Sequence, residues 1–259
     1  MVQATDTEPL HQALAFYDRL APDYDAMTGF EKRFVVERPF FRVLVERYAI
    51  RTALDAGCGT GFHSLLLSQL GAQVTAVDVS QEMLKRAQLH AAASGTELRT
   101  VHSDFLHLRE NVKGTFDGIF SMGNTLPHIL SANDLLLTLQ SFAELLHRDG
   151  LLFIQNLNYD RILRTQEPVQ SVKEQDGVTF VRYYEFAPST IRFNILKITR
   201  SAGGPQHSLN TVELRPVLKE EIMSMLAQAG FRDIRPFGGI SMEEFVPDTS
   251  KDLVLLARK

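Results

Sequence analysis

The stretch "LDAGCGTG", residues 54–61, puts three glycines into five positions directly behind an apolar run. An apolar run that breaks into glycines and resumes at helical spacing over residues 62–70 reads as strand, tight turn and helix. The missing Cβ atoms let the backbone turn sharply and approach a ligand. Gly71 closes that helix, and "QVTAVDVS" follows as a second buried strand ending in Asp78. Ser80 is placed to cap a helix over residues 81–93, with Gly95 as its stop. Further on, "LRTVHSD" and "FDGIFSM" read as a third and a fourth strand. "NDLLLTLQSFAELLHRDG" reads as a helix capped by Asn133 or Asp134 and ended by Gly150, and "LLFIQNLN" as a fifth strand. Strands alternating with helices predict a doubly wound α/β fold with a mostly parallel sheet, whose ligands sit beyond the carboxyl ends of the strands.

The rhythm then changes. "VTFVRYYEF", "STIRFNILKITR" and "HSLNTVELR" are strand-like with no helix between them, and "SAGGPQ" supplies a turn. Residues 161–216 are therefore expected to form an inserted antiparallel sheet. A helix over residues 219–228, stopped by Gly230, and the segments "RDIRPFGG" and "DLVLLAR" bring the main sheet to seven strands. Upstream, residues 1–9 are polar and read as loose, while residues 39–48 show helical spacing. The expected organisation is a helical cap over 1–49, a nucleoside-binding domain over 50–160 and 217–259, and the insertion between its two parts.

A formal charge of −4 and a pI near 6.1 supply no basic field for phosphate backbones or anionic lipid, so neither nucleic acid nor membrane is an expected partner. The single cysteine, Cys58, has no partner for a disulfide and no companion at metal-ligand spacing. A cytoplasmic setting and a site without metal are the expectations. No run approaches the length of a membrane span. His90 and His147 are expected on helix surfaces. The sequence leaves open whether copies associate into a homo-oligomer.

Asp78 lies 21 residues after Gly57, where a carboxylate can accept both hydrogen bonds of a ribose diol. The loop spacing is G-x-G-x-G, with Phe62 where a dinucleotide fingerprint has its third glycine, which argues for a nucleoside without a pyrophosphate and against a nicotinamide cofactor. "LDAGCGTG", "VDVS" with Met83, and "HSDF" resemble, in order and spacing, the motifs of class I S-adenosylmethionine-dependent methyltransferases. The resemblance implies a Rossmann-like domain holding S-adenosylmethionine, released as S-adenosylhomocysteine. It sets Gly57, Cys58 and Gly59 against the methionine part, Asp78 on the ribose, Val79 and Met83 beside the adenine, and Ser103, Asp104 and Phe105 at its edge.

"SMGNTLPHI" and "NLNYD" resemble the glycine and sarcosine N-methyltransferase branch, which also carries an inserted sheet after the fifth strand. By that likeness Met122, Gly123 and His128 lie by the cofactor, Asn124 and Asn158 reach a small-molecule substrate, and Tyr183 and Tyr184 of "RYYEF" answer to a tyrosine pair near the methyl group. Asn124, His128 and Tyr184 are the expected catalytic residues. Tyr24 and Arg33 fall where the branch closes an N-terminal segment over the cofactor. The glycine-binding members place an arginine two residues before the tyrosine of "NYD"; here that position is Leu157, and Arg215 is the candidate replacement. An O- or C-methyltransferase of a quinone, phenol or sugar, and a nucleoside-binding module without turnover, are the competing readings.

Overall fold

The computed structural model describes residues 8–175, 177–201 and 204–259. Two helices, α1 (Glu8–Thr28) and α2 (Phe30–Arg47), precede the alternation of β1 (Thr52–Ala56), α3 (Phe62–Gln69), β2 (Gln73–Asp78), α4 (Gln81–Ala93), β3 (Arg99–His102), α5 (Leu108–Asn111), β4 (Phe116–Ser121), α6 (Ala132–Leu145) and β5 (Leu146–Leu157). Then come α7 (Tyr159–Thr165) and four strands, β6 (Val169–Gln175), β7 (Val178–Phe186), β8 (Ile191–Ser201) and β9 (Gly204–Leu214). The chain continues through α8 (Lys219–Gln228), β10 (Arg232–Phe237) and β11 (Asp252–Arg258).

The seven-stranded sheet runs β10-β11-β5-β4-β1-β2-β3, and only β11 makes antiparallel pairs, with β5 and β10. β1 and β2 are buried along nearly their whole length, as strands covered on both faces must be. One apolar layer joins α6 and α8 to the sheet through Leu139, Phe142 and Ile222; the other joins α2 and α3 through Phe41, Leu66 and Phe153. Strand order reverses between β1 and its neighbours β2 and β4, which opens a crevice at their carboxyl ends. The insertion pairs separately as an antiparallel sheet, β6-β7-β8-β9. Its apolar face packs on α1 through Phe16, Leu20, Ile195 and Val212.

Several local expectations are corrected. Residues 1–7 lie outside the described residues, and Glu8 and Pro9, read as loose, already belong to α1. The helix before β5 is capped by Ser131, whose hydroxyl accepts from the Asp134 N–H at 3.3 Å, and not by Asn133 or Asp134, and it ends at Leu145. The chain enters β5 directly, and residues 147–150 bulge between the pairs Phe116–Leu146 and Gly118–Leu151. His147 therefore sits on this bulge beside the Thr115 hydroxyl, not on a helix. β6 was not expected, because "VQSVKEQ" is polar and mostly exposed. Of the "SAGGPQ" turn, Ala202 and Gly203 lie outside the described residues.

Among the described residues, no helix is long and apolar enough to cross a membrane, and no cluster of three or more His, Cys, Asp or Glu could hold a metal ion.

Candidate active site

A cavity of about 620 Å³ occupies the crevice beyond β1, β2, β3 and β4, with α1 and the start of α2 as its roof. Its floor is the β1–α3 turn. The N–H groups of Gly57 and Cys58 both donate to the Val77 carbonyl, at 2.8 and 2.9 Å, which folds the turn back over the end of β2. Gly57 has φ +81°, and a Cβ there would overlap the Thr125 methyl. Gly59 has φ +55°, and its missing Cβ leaves the space that faces the Tyr24 ring.

Asp78 ends β2 on the cavity wall. One carboxylate oxygen accepts from Gly59 N–H at 2.8 Å, the other from Ser80 N–H at 2.9 Å. Burial outweighs these bonds and lifts its pKa to about 6. The Ser80 hydroxyl donates to Asp18 of α1 at 2.6 Å and accepts from Met83 N–H at 3.1 Å. The α4 cap thereby also fastens the roof helix.

The wall brings together Tyr24, Arg33, Gly57, Cys58, Gly59, Asp78, Val79, Ser103, Asp104, Phe105, Met122, Gly123 and His128. Burial pushes the Cys58 thiol well up, so it stays neutral. The Asp104 carboxylate meets the His107 ring at 2.8 Å and raises that imidazole's pKa. Arg33 stacks 4.0 Å above the Phe62 ring and donates to Glu37 at 2.7 Å; the other Glu37 oxygen meets His63 at 3.0 Å. His128 Nε2 meets the Tyr17 hydroxyl at 2.8 Å, its Nδ1 has no partner, and burial lowers its pKa to about 4.

Six expected residues stand outside this wall. Met83 is fully buried beneath it. Asn124, at φ +67°, donates to the Tyr159 hydroxyl at 2.9 Å and accepts from Leu157 N–H at 3.0 Å, so it ties the end of β4 to β5. Asn158 is fully buried with its amide committed: it donates to the carbonyls of Pro247 and Ser250 and accepts from Arg161 N–H as the cap of α7. Tyr184 is core, edge-on to Phe193 at 5.6 Å, and Tyr183 points to the opposite face of β7. Arg215 is held by Glu221 through Nη2, while its buried Nη1 has no partner. The substrate roles expected of Asn124, Asn158 and Tyr184 meet side chains already occupied in packing or internal bonds.

Sequence reasoning overlooked Tyr17, Thr125, Asp18 and the Glu37–His63 pair. Tyr17 had a usable signal: it precedes Tyr24 by seven residues, two helical turns, and therefore shares its face.

Residues 53–150 match the methyltransferase domain family. Along 96% of its length the chain is 27% identical to a glycine/sarcosine N-methyltransferase of Aphanothece halophytica, of which it covers 91%. Its fold superposes with a TM-score of 0.80 on an S-adenosylmethionine-dependent methyltransferase from Clostridium acetobutylicum, 19% identical, covering 93% of this chain and 98% of that one. An amino pentose methyltransferase from Micromonospora echinaspora, solved with S-adenosylmethionine bound, gives a TM-score of 0.69 at 15% identity over 91% and 95% of the two chains. The methyltransferase domain over residues 53–150 and the likeness in sequence to curated methyltransferases make this an S-adenosylmethionine-dependent methyltransferase, and the solved structures share its fold. Within that class its sequence is similar to glycine/sarcosine N-methyltransferases along almost its entire length.

The wall fits that cofactor. A nucleoside without phosphate needs a diol acceptor, which Asp78 offers, and a methionine part carries one carboxylate. Arg33 is the sole Lys or Arg among the described wall residues.

Proposed function

We propose that the protein methylates the nitrogen of a small amine that carries no carboxylate. The observation behind this reading is the charge count of the wall: one guanidinium, Arg33, against the carboxylates of Asp78, Asp104 and Asp134. With Arg33 assigned to the cofactor's own carboxylate, no cation remains for a second one. Leu157 replaces the arginine that the resemblance expects, and Arg215, paired with Glu221 through one nitrogen, is not among the described wall residues. A bidentate arginine is the usual partner of a bound carboxylate.

Nitrogen is favoured over oxygen by the state of His128. Buried to a pKa of about 4, it is a weak base. A phenol or sugar hydroxyl needs its proton removed as it attacks, whereas a neutral amine brings its own lone pair. In this reading the Tyr17–His128 pair orients the acceptor by hydrogen bonding, and the aromatic rings of Tyr17, Tyr24 and Phe105 tolerate the cation that develops on nitrogen. Asp78 would hold the ribose and Arg33 the methionine carboxylate of S-adenosylmethionine, which supplies a methyl already activated on sulfur. The roof of α1 and α2, the cap of residues 1–49, would keep water out and hold the reactants in line; alignment of this kind can contribute about 7–11 kcal/mol. The insertion over 161–216 would support that cap, and the acidic wall disfavours nucleic acid.

The test is incubation with S-adenosylmethionine and a panel of amines with and without carboxylates, amino sugars included, reading S-adenosylhomocysteine and methylated product by mass spectrometry. Product from carboxylate-free amines alone is expected. Equal or better turnover of glycine or sarcosine would overturn the reading.

A further inference from the structure

The two faces of α2 serve different ends. Its inner face buries Phe30, Glu37, Phe41, Leu44 and Val45 against the domain. Its outer face exposes Val35 at 81%, Val36 at 73% and Val43 at 61%, the three most exposed of the large apolar side chains apart from Leu89 and Val172. Lys32, Val36, Pro39, Val43 and Glu46 are all exposed, and their spacing alternates four and three residues, the pattern of a helix seam that packs against another helix.

The charges at the two ends of this seam name the occupant. Glu31 and Lys32 open the helix, and Glu46 and Arg47 close it. Against a second copy running antiparallel about a two-fold axis at Pro39, Lys32 meets Glu46 of the second copy, Glu31 meets its Arg47, Val35 lies over its Val43, and Val36 lies beside its Arg42. Every end contact then joins opposite signs, and each occurs twice. A parallel arrangement would set Lys32 on Lys32 and Glu46 on Glu46. We infer that the outer face of α2 is a self-complementary interface through which two copies of this chain form an isologous dimer. The opposite face of the same helix carries Arg33 and Glu37, so each protomer keeps its own cavity and none is shared. The inference is independent of the acceptor assigned above.

Sedimentation equilibrium of the full chain tests it. A reversible dimer is expected, dissociated by Val35→Glu combined with Val43→Glu, which sets like charges face to face twice. Lys32→Glu alone and Glu46→Lys alone each turn two attractive contacts repulsive and should weaken the dimer about tenfold. Mixed together, these two variants restore opposite signs at every Lys32–Glu46 position and should recover a dimer as a heterodimer, a result that misfolding cannot mimic. A monomer at all soluble concentrations would overturn the inference. So would a dimer indifferent to Lys32→Glu, or single variants that weaken the dimer yet fail to recover it on mixing.

Discussion

Asp78 bears opposing demands. It sits at 9% exposure, where burial favours its neutral form, yet a ribose diol is best held by a carboxylate. Its folded pKa of about 6 exceeds the usual 3.8, so between those values the folded apo chain keeps a proton that the unfolded chain has released. Asp78's contribution to stability is therefore fully present below about pH 4 and lost as pH rises through 6. Unfolding free energies of wild type and Asp78→Asn, compared from pH 4 to 7, should show this decline in the wild type only. Calorimetric titration should find S-adenosylmethionine binding weakening below pH 6 in the wild type. The substitution should weaken it about 10- to 100-fold at neutral pH, the worth of a charged hydrogen bond. His128 gives a second test. With its pKa near 4, the pH profile of kcat/KM should inflect at the pKa of whichever amine is supplied, and two amines of different basicity should shift it. An inflection fixed near 6.5 for both at saturating S-adenosylmethionine, and retained in Asp78→Asn, would mean that the imidazole carries the proton.

Among the elements, the β1–α3 turn leaves least room for change. Gly57→Ala places a Cβ on the Thr125 methyl at a left-handed φ, for an expected loss of about 1–3 kcal/mol, read as a Tm lower by several degrees. Adding Thr125→Ser removes that methyl but keeps the hydroxyl that donates to the Met122 carbonyl at 2.6 Å. The double variant should recover part of the loss; the backbone strain remains. The roof helix offers the complementary case. Lys173 of β6 caps the end of α1 by donating to the carbonyls of Ala26 and Met27 at 2.7 and 2.9 Å, and Lys197 of β8 pairs with Asp23 at 2.7 Å. Replacing both lysines with Met should speed cofactor release several-fold in stopped-flow measurements while leaving the central sheet's hydrogen-exchange protection intact. These elements also show where a sequence is readable. "LDAGCGTG" and "VDVS" declare themselves because a buried parallel strand is almost wholly apolar and its turn needs glycine. The helical cap was readable but not where its first helix starts, and β6 was hidden behind a polar composition, since it is held by backbone pairing to β7 and not by an apolar face.

At the scale of the molecule, the cofactor half was legible and the acceptor half was not. A motif that binds a nucleoside works through local backbone shape, which sequence spacing records. Asn124 and Asn158 lie off the wall, and most of their amide contacts cross 33 to 92 residues of chain, of which spacing carries no trace. Arg215 is bound within its own neighbourhood by Glu221, six residues on.

The position of α1 has a consequence for biogenesis. The helix that roofs the cavity packs against β9, which is made long after it, so it leaves the ribosome well before that partner. Until then Phe16 and Leu20 lack the inserted strands that cover them, and the nascent chain offers an amphipathic helix to any chaperone within reach. The cofactor crevice can be shaped during synthesis, but it cannot be closed until the inserted sheet has emerged.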